Sequence, residues 1–290
     1  MGLQLGDRFI IGGQIADDYF SDEEARSGLG LFSRYYFNSS ENKFRPYAQV
    51  DFSTQLTLDF VDELGLTAGL EVQLKPGIIF NNEFSRRLFY GYRSADNGSG
   101  VWRLRGYIGN IASGKNNKSP FKKGDFLISS ELYEIDFSSP SDRVNDFNRF
   151  RVSPTFIYAL SSRWLLEFDL NIEDNTSNFD NFVFGAEQRV KSTIITAEAG
   201  LRYIILPNSA IKPYGRVGVF YQSDFLDGPD EVLIGRNSTE SLTSPFAGAG
   251  LLIPVKGNAF IDANLNVQRE TNFRLDSWEV SGEIKWLIKF

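Results

Sequence analysis

Charged side chains stand at alternate positions in several segments of this chain, and their spacing suits them to act together. Alternate residues of an extended strand point to the same side, so the members of each group would share one face. The candidate residues are Arg103, Arg105, Arg149, Arg151, Glu167, Asp169, Glu173, Asp262, Glu279 and Glu283. Rows of such charges could orient a polar solute, or each charge could be neutralised by an adjacent strand, as Arg151 by Glu173.

Several kinds of chemistry are excluded by composition. The 290 residues include no histidine and no cysteine, which removes the commonest general base, the commonest transition-metal ligand and all thiolate chemistry. A Ser-Lys or carboxylate-pair site remains formally possible, but no serine stands in a special turn and no acidic pair differs from ordinary loop charge. The net charge of −7 argues against a nucleic-acid partner. We therefore predict a protein that is not an enzyme and that holds no metal or cofactor.

The elements that must position the charges are long β-strands. Apolar and polar residues alternate over segments of about 10 to 14 residues, as in 164–173, and this is the length at which a tilted strand crosses a bilayer. No stretch approaches the roughly 18 apolar residues of a membrane helix. A soluble β-sandwich also alternates, but its strands are usually shorter. The pattern predicts an all-β, up-and-down antiparallel transmembrane barrel.

Counting by this alternation gives 14 strands in a single barrel over residues 1–290. The expected strands lie near 7–16, 27–38, 45–60, 64–74, 78–93, 101–110, 124–136, 149–160, 163–174, 188–205, 211–222, 241–254, 258–269 and 277–290. An even count places both termini in the periplasm, after removal of an export signal that the first residues do not show. Tight turns are expected at 75–77, 161–162, 207–209 and 255–257, and the longest outer loop near 223–240.

Two halves, about 1–110 and 124–290, resemble each other across the long periplasmic segment 111–123. Residues of the first half recur at slightly variable spacing: Gly28-Leu29 as Gly200-Leu201, Arg34-Tyr35 as Arg202-Tyr203, Arg45-Pro46-Tyr47 as Lys212-Pro213-Tyr214, Ala68-Gly69 as Ala247-Gly248, and the Trp102 to Ile108 motif as Trp278 to Ile284. An internal duplication would explain these recurrences, and so would the general likeness of barrel hairpins.

The C-terminal strand ends on an aromatic residue, and three further apolar residues precede it at alternate positions. Ile284, Trp286, Ile288 and Phe290 share one face, which resembles the C-terminal signal that the barrel-assembly machinery recognises. Tyr35-Tyr36-Phe37, followed after a short turn by Arg45-Pro46-Tyr47-Ala48, resembles hairpins of the broad outer-membrane β-barrel families common in Bacteroidota. The resemblance implies integral location in a bacterial outer membrane, in contact with lipid and lipopolysaccharide, and implies no activity.

Aromatic residues near strand ends predict two interfacial girdles. The expected periplasmic girdle is Phe37, Tyr158, Trp164, Tyr203, Trp286 and Phe290, and the expected outer girdle is Phe60, Tyr92, Trp102, Phe150, Tyr221 and Trp278.

Two functions fit this architecture. The first is a porin-like passive channel for small polar solutes, in which Arg103 and Arg105 form a basic wall facing an acidic wall of Asp262, Glu279 and Glu283. The second is a non-catalytic structural subunit of a larger outer-membrane transport, secretion or assembly complex, with its lumen closed by side chains. A polar interruption of the outward face would mark a contact with another subunit. The candidates are Ser33, Arg86 and Ser130.

Overall fold

The computed structural model describes residues 2–18, 26–55, 61–91, 100–110, 119–138, 147–181, 186–227, 239–255, 257–272 and 275–290, and these form strands, turns and bends without any helix. The strands are β1 (Gly2–Leu5), β2 (Phe9–Asp18), β3 (Arg26–Tyr36), β4 (Phe44–Gln55), β5 (Val61–Lys75), β6 (Ile78–Gly91), β7 (Gly100–Asn110), β8 (Phe126–Ser129), β9 (Glu131–Ser138), β10 (Phe147–Val152), β11 (Thr155–Ala159), β12 (Trp164–Asn181), β13 (Ala186–Ile204), β14 (Lys212–Asp227), β15 (Thr239–Pro254), β16 (Ala259–Asn272) and β17 (Leu275–Lys289).

The prediction of an all-β chain is confirmed, and a strand lies at each segment where the alternation predicted one. Two of the predicted strands are divided. Ser130 separates β8 from β9, and Ser153 with Pro154 separates β10 from β11. Pro154 has no N–H to offer a strand ladder, which explains the second break. The short strand β1 was not predicted.

The chain divides into two compact units. Unit 1 comprises residues 1–74, 80–106 and 134–148, and unit 2 comprises residues 75–79, 107–133 and 149–290. In unit 1, strands β1 to β5 pair consecutively as an antiparallel meander. These units differ in extent from the repeat-like halves 1–110 and 124–290, because parts of β9 and β10 belong to unit 1. The halves, inferred from recurring residues, stay a prediction.

Unit 2 contains a closed antiparallel barrel of eight strands. The order around the ring is β8, β11, β12, β13, β14, β15, β16, β17 and back to β8. The closing pairs join Leu287 to Ser129, Ile288 to Ile128 and Lys289 to Leu127. The expected ring of about 14 strands is not confirmed, because the pairing that closes passes through eight strands.

The tight turns lie where the sequence predicted them. Gly77 and Gly257 have φ values of 82° and 64°, a conformation that glycine adopts without the steric cost of a Cβ atom. Chain reversals also occur between β11 and β12 and between β13 and β14. Of the predicted outer loop 223–240, residues 228–238 lie outside the described residues, as do residues 111–118 of the predicted periplasmic segment.

Candidate functional site inside the eight-stranded barrel

Many strands of the ring bury polar side chains and expose apolar ones, which is the opposite of the usual arrangement in a soluble protein. On β12, Glu167 and Asp169 are buried inside the ring, whereas Leu166 and Phe168 are exposed on its outer surface. The strict alternation of β12 produces this arrangement, because successive side chains point to opposite sides of a strand. The interior of the ring is therefore the place where polar chemistry is concentrated, and its outer surface is apolar.

One level of the interior is filled by a cluster of buried apolar residues, the apolar layer. Its members are Phe121, Leu127, Ile157, Ala159, Leu165, Ile204, Tyr214, Leu252, Phe260 and Leu287. Every ring strand contributes at least one of them. Phe121 comes instead from residues 119–125, and its ring lies 5.6 Å from that of Phe260. A barrel of eight strands has an interior that side chains can fill, and here they do so.

The segment that carries Phe121 is attached to the ring at several points. The amide of Gly124 donates to the carbonyl of Ala159 at 2.9 Å, and the amide of Ala159 donates to the carbonyl of Asp125 at 2.8 Å. The carboxylate of Asp125 lies 2.6 Å from Nζ of Lys289. These contacts hold residues 121–125 against β11 and β17, so Phe121 is a fixed part of the apolar layer.

An ionic network centred on Arg202 adjoins the apolar layer. Nε of Arg202 donates to Glu167 at 2.7 Å, and Nη1 donates to Asp262 at 2.6 Å. The hydroxyl of Tyr214 donates to the other oxygen of Asp262 at 2.6 Å. Arg202 is 0% exposed. A guanidinium removed from water is tolerated when its N–H groups reach carboxylates, and two strands supply them here.

Other charged side chains of unit 2 also have polar partners nearby. Lys285 lies 3.3 Å from Asp169 and 2.9 Å from Glu283, and Arg216 lies 2.5 Å from Glu198. Further pairs join Arg149 to Glu173 at 3.1 Å and Arg151 to the side-chain oxygen of Asn171 at 3.4 Å. Glu173 is thus paired, although with Arg149 rather than with the expected Arg151.

Unit 1 contains a comparable cluster on the buried face of its sheet. Arg34 pairs with Glu83 at 2.9 Å, and the hydroxyl of Tyr47 donates to the same carboxylate. The guanidinium carbon of Arg34 lies 3.9 Å from the centre of the Tyr47 ring. In unit 2 the corresponding distance from Arg202 to the Tyr214 ring is 4.6 Å. Each unit therefore has an arginine, a tyrosine and a carboxylate in mutual contact, and unit 1 has a second such group in Arg45, Tyr36 and Glu71.

The two clusters occupy equivalent strands of their units. Arginine comes from β3 or β13, tyrosine from the following strand, and the carboxylate from the third strand after the arginine, β6 or β16. In both, the tyrosine packs over a glycine of the intervening strand, Tyr47 over Gly69 and Tyr214 over Gly250. A Cβ atom at either glycine would overlap the ring. We name these groups the unit 1 and unit 2 Arg–Tyr–acid clusters.

Part of the predicted internal repeat coincides with these clusters. Arg34 recurs as Arg202 and Tyr47 recurs as Tyr214. In both units the arginine pairs with a carboxylate and lies over the tyrosine ring, and the tyrosine donates to the same carboxylate. The equivalent of Ala68-Gly69 by strand register is Ala249-Gly250, so the predicted match to Ala247-Gly248 is two residues early. The side chain of Trp278 lies outside the described residues. Shared contacts support a duplication, which stays a hypothesis.

The predicted basic wall has nearby acidic partners. Arg103 is buried and lies 2.8 Å from Asp136, while its Nε and that of Arg105 each lie 3.6 Å from Glu134. Of the predicted acidic wall, Asp262 pairs with Arg202 and Glu283 with Lys285. The side chain of Glu279 lies outside the described residues. The described charges therefore follow the second expectation, in which neighbouring strands neutralise each other.

The sequence prediction did not identify Arg202, Tyr214, Arg216 or Lys285 as site residues. A signal for two of them was present, because Arg202 and Tyr214 belong to the recurring motifs. All four also stand in phase with the buried positions of their strands. Applying the alternation to every strand, rather than only to the most regular ones, would have placed them inside.

The C-terminal residues divide between exposed and covered positions. Ile284 is 73% exposed and Trp286 is also exposed, as expected of a lipid-facing signal. Ile288 is 3% exposed, which corrects the expectation that it shares their environment, because it lies in the seam opposite Ile128. Phe290 is half-buried, with its ring 6.3 Å from that of Phe126.

Most described members of the predicted girdles are exposed. Phe37, Tyr158, Trp164 and Trp286 are exposed in the periplasmic set, and Trp102, Phe150 and Tyr221 are exposed in the outer set. Tyr203 is half-buried, and its ring packs at a tilt of 59° against that of Trp164, with ring centres 4.9 Å apart. Phe60, Tyr92 and the side chain of Trp278 lie outside the described residues.

Comparison with known proteins gives no family for this chain. No protein-family model matches it, and no curated protein matches it. The described part of the chain contains no helix that is long and apolar enough to cross a membrane. Within the same part, no group of three or more acidic side chains is arranged to hold a metal ion.

Proposed function

We propose that this chain is an integral β-barrel of a bacterial outer membrane that serves as a non-catalytic structural subunit of a larger assembly, not as a diffusion channel. The observation that carries this proposal is the filled interior of the eight-stranded ring. The apolar layer draws on every strand of the ring, and the ionic network adjoins it. Such an interior leaves little space for a polar solute.

The membrane location is supported by the outer surface of the ring. Large apolar side chains there are exposed, among them Trp164, Phe168, Val217, Leu265 and Ile284. Exposing so much apolar surface to water is unfavourable, whereas lipid accepts it. Closing the strands into a ring also pairs backbone groups that lipid could not satisfy. We place Phe290 at the periplasmic end, together with the tight turns before β12 and β14.

Fractionation of the cell envelope tests the location. We expect the chain in the outer membrane, resistant to extraction by alkaline carbonate, and we expect its folded form to shift in apparent mass on heating before electrophoresis. Recovery in a soluble fraction would refute the membrane proposal.

Conductance across a planar bilayer tests the function. We expect the purified, heat-modifiable protein to produce no discrete conductance steps, because the apolar layer closes the ring. Heat modification of the same preparation is the control that the inserted protein is folded. Reproducible steps from that preparation would instead favour the porin-like channel.

A further inference from the structure

The turn that precedes β12 holds an exposed cation against an aromatic ring. Nη1 of Arg163 donates to the hydroxyl of Tyr203 at 2.6 Å, and the guanidinium carbon lies 5.9 Å from the centre of the Tyr203 ring. That ring packs against the exposed Trp164. The turn is itself fixed, because the hydroxyl oxygen of Ser161 accepts from the amides of Arg163 and Trp164. Arg163 is therefore a positioned cation at the end of a strand.

Two further cations beside turns lie over aromatic rings. Nζ of Lys43 lies 5.9 Å from the centre of the Phe44 ring, and Nζ of Lys75 lies 4.8 Å from the centre of the Phe290 ring. Lys43 precedes β4 directly, and Lys75 ends β5. Among the described residues, none of the three cations pairs with a carboxylate, unlike the arginine of each Arg–Tyr–acid cluster.

These turns lie at the periplasmic surface of the membrane under the proposed function, on which this inference rests. Tyr203 and Phe290 belong to the predicted periplasmic girdle, and the strand that follows Arg163 exposes apolar side chains from Trp164 onward. Aromatic girdles lie at the depth of lipid headgroups. A cation that rests on a girdle ring is therefore level with the phosphates of the periplasmic leaflet.

We propose that Arg163, Lys43 and Lys75 bind the headgroup phosphates of anionic phospholipids in the periplasmic leaflet. At Arg163 the Tyr203 hydroxyl occupies Nη1, while Nε and Nη2 make no hydrogen bond to any described residue. These two nitrogens form one edge of the guanidinium, and a phosphate accepts from such an edge with two oxygens.

The chemistry of the three cations favours a lipid with a net negative charge. Each unsatisfied group is a donor, and a phosphate diester offers acceptors alone. No described carboxylate pairs with these cations, so none is placed to receive the ammonium of a zwitterionic headgroup. We therefore expect phosphatidylglycerol to bind more tightly than phosphatidylethanolamine.

Native mass spectrometry tests the Arg163 site, with phosphatidylglycerol titrated onto the delipidated, heat-modifiable protein in detergent. We expect Arg163→Gln to weaken the tightest binding step about fivefold, the effect of one basic group near an anionic lipid surface. The matched control is Lys191→Gln, which removes the same charge from a lysine that already pairs with Asp174 at 3.0 Å and should bind as the parent does.

Two further variants extend the test. Tyr203→Phe keeps the Arg163 cation but removes the hydroxyl that positions it, so we expect a smaller loss of affinity than in Arg163→Gln. This variant also tests the site if Arg163→Gln does not fold. Replacing all three cations by Gln should abolish the preference for phosphatidylglycerol over phosphatidylethanolamine.

Three results would overturn the inference. The first is equal affinity of Arg163→Gln, Tyr203→Phe and Lys191→Gln for phosphatidylglycerol. The second is a parent protein that binds both lipids equally. The third is displacement of the bound lipid by inorganic phosphate or by a decaglutamate peptide, which would assign the cations to a soluble anion or to an acidic protein. Any of these results from a folded outer-membrane protein would refute lipid binding alone, whereas a soluble chain would refute the proposed function first.

Discussion

Replacing Asp262 with Asn removes one negative charge from the ionic network and preserves the size of the side chain. Among the described residues, the fully buried Arg202 then keeps one carboxylate, Glu167, and Tyr214 can still donate to the amide oxygen. Two unit charges about 4 Å apart interact by about 4 kcal/mol at an effective dielectric constant near 20. Removing one partner of a buried pair typically costs about 3–5 kcal/mol. Because Glu167 remains, we expect a loss of about 3 kcal/mol in the free energy of unfolding.

The matched control is Glu283→Gln, which removes the same charge from a carboxylate that also pairs inside the ring. Its partner Lys285 lies 2.9 Å away, but the Glu283 side chain is 42% exposed, so water screens the pair. A pair of this kind contributes at most about 1 kcal/mol. The assay is urea unfolding of the folded barrel in lipid vesicles, monitored by tryptophan fluorescence. Indistinguishable unfolding free energies for Asp262→Asn and Glu283→Gln would refute the reasoning.

Three further predictions concern packing and insertion. Gly250→Ala places a Cβ atom against the ring of Tyr214 and should lower the free energy of unfolding by about 1–3 kcal/mol in the same urea assay. In the control Gly215→Ala, the new Cβ would meet only a carbonyl oxygen at 4.0 Å, so the free energy of unfolding should change by less than about 0.5 kcal/mol. Equal effects of the two variants would contradict the packing argument. Phe121→Ala should cost about 3–5 kcal/mol through the cavity it leaves, without producing conductance, because the rest of the apolar layer persists; channel steps from this variant would show that one side chain closes the ring. Ile284→Asp should lower the yield of heat-modifiable barrel far more than Ser281→Asp, since Ile284 is outward and exposed while Ser281 faces inward; equal yields would argue against a lipid-facing strand.

Much of the local structure could be predicted from the sequence because it depends on neighbouring residues. Alternation of apolar and polar side chains has the period of a strand, so the alternation near residues 164–173 correctly located β12 and its two faces. Turn residues such as Gly77 and Gly257 adopt a conformation suited to glycine, so the reversals could be located as well. The buried positions of Glu167 and Asp169 follow from the same alternation.

The closure of the sheet and the pairing of its charges were decided only by the tertiary structure. Alternation assigns a residue to a face but does not say which strands meet. The sequence could therefore not show that β17 pairs with the short strand β8 and closes a ring of eight strands. The expected ring of 14 strands is not confirmed. Arg202 and Asp262 are 60 residues apart and lie on strands that are not adjacent, so only the curvature of the barrel and the length of the arginine side chain bring them together. The sequence spacing predicted two opposing walls of charge, but the described charges pair with neighbours instead. A charge removed from water is stabilised by the nearest opposite charge that the fold supplies.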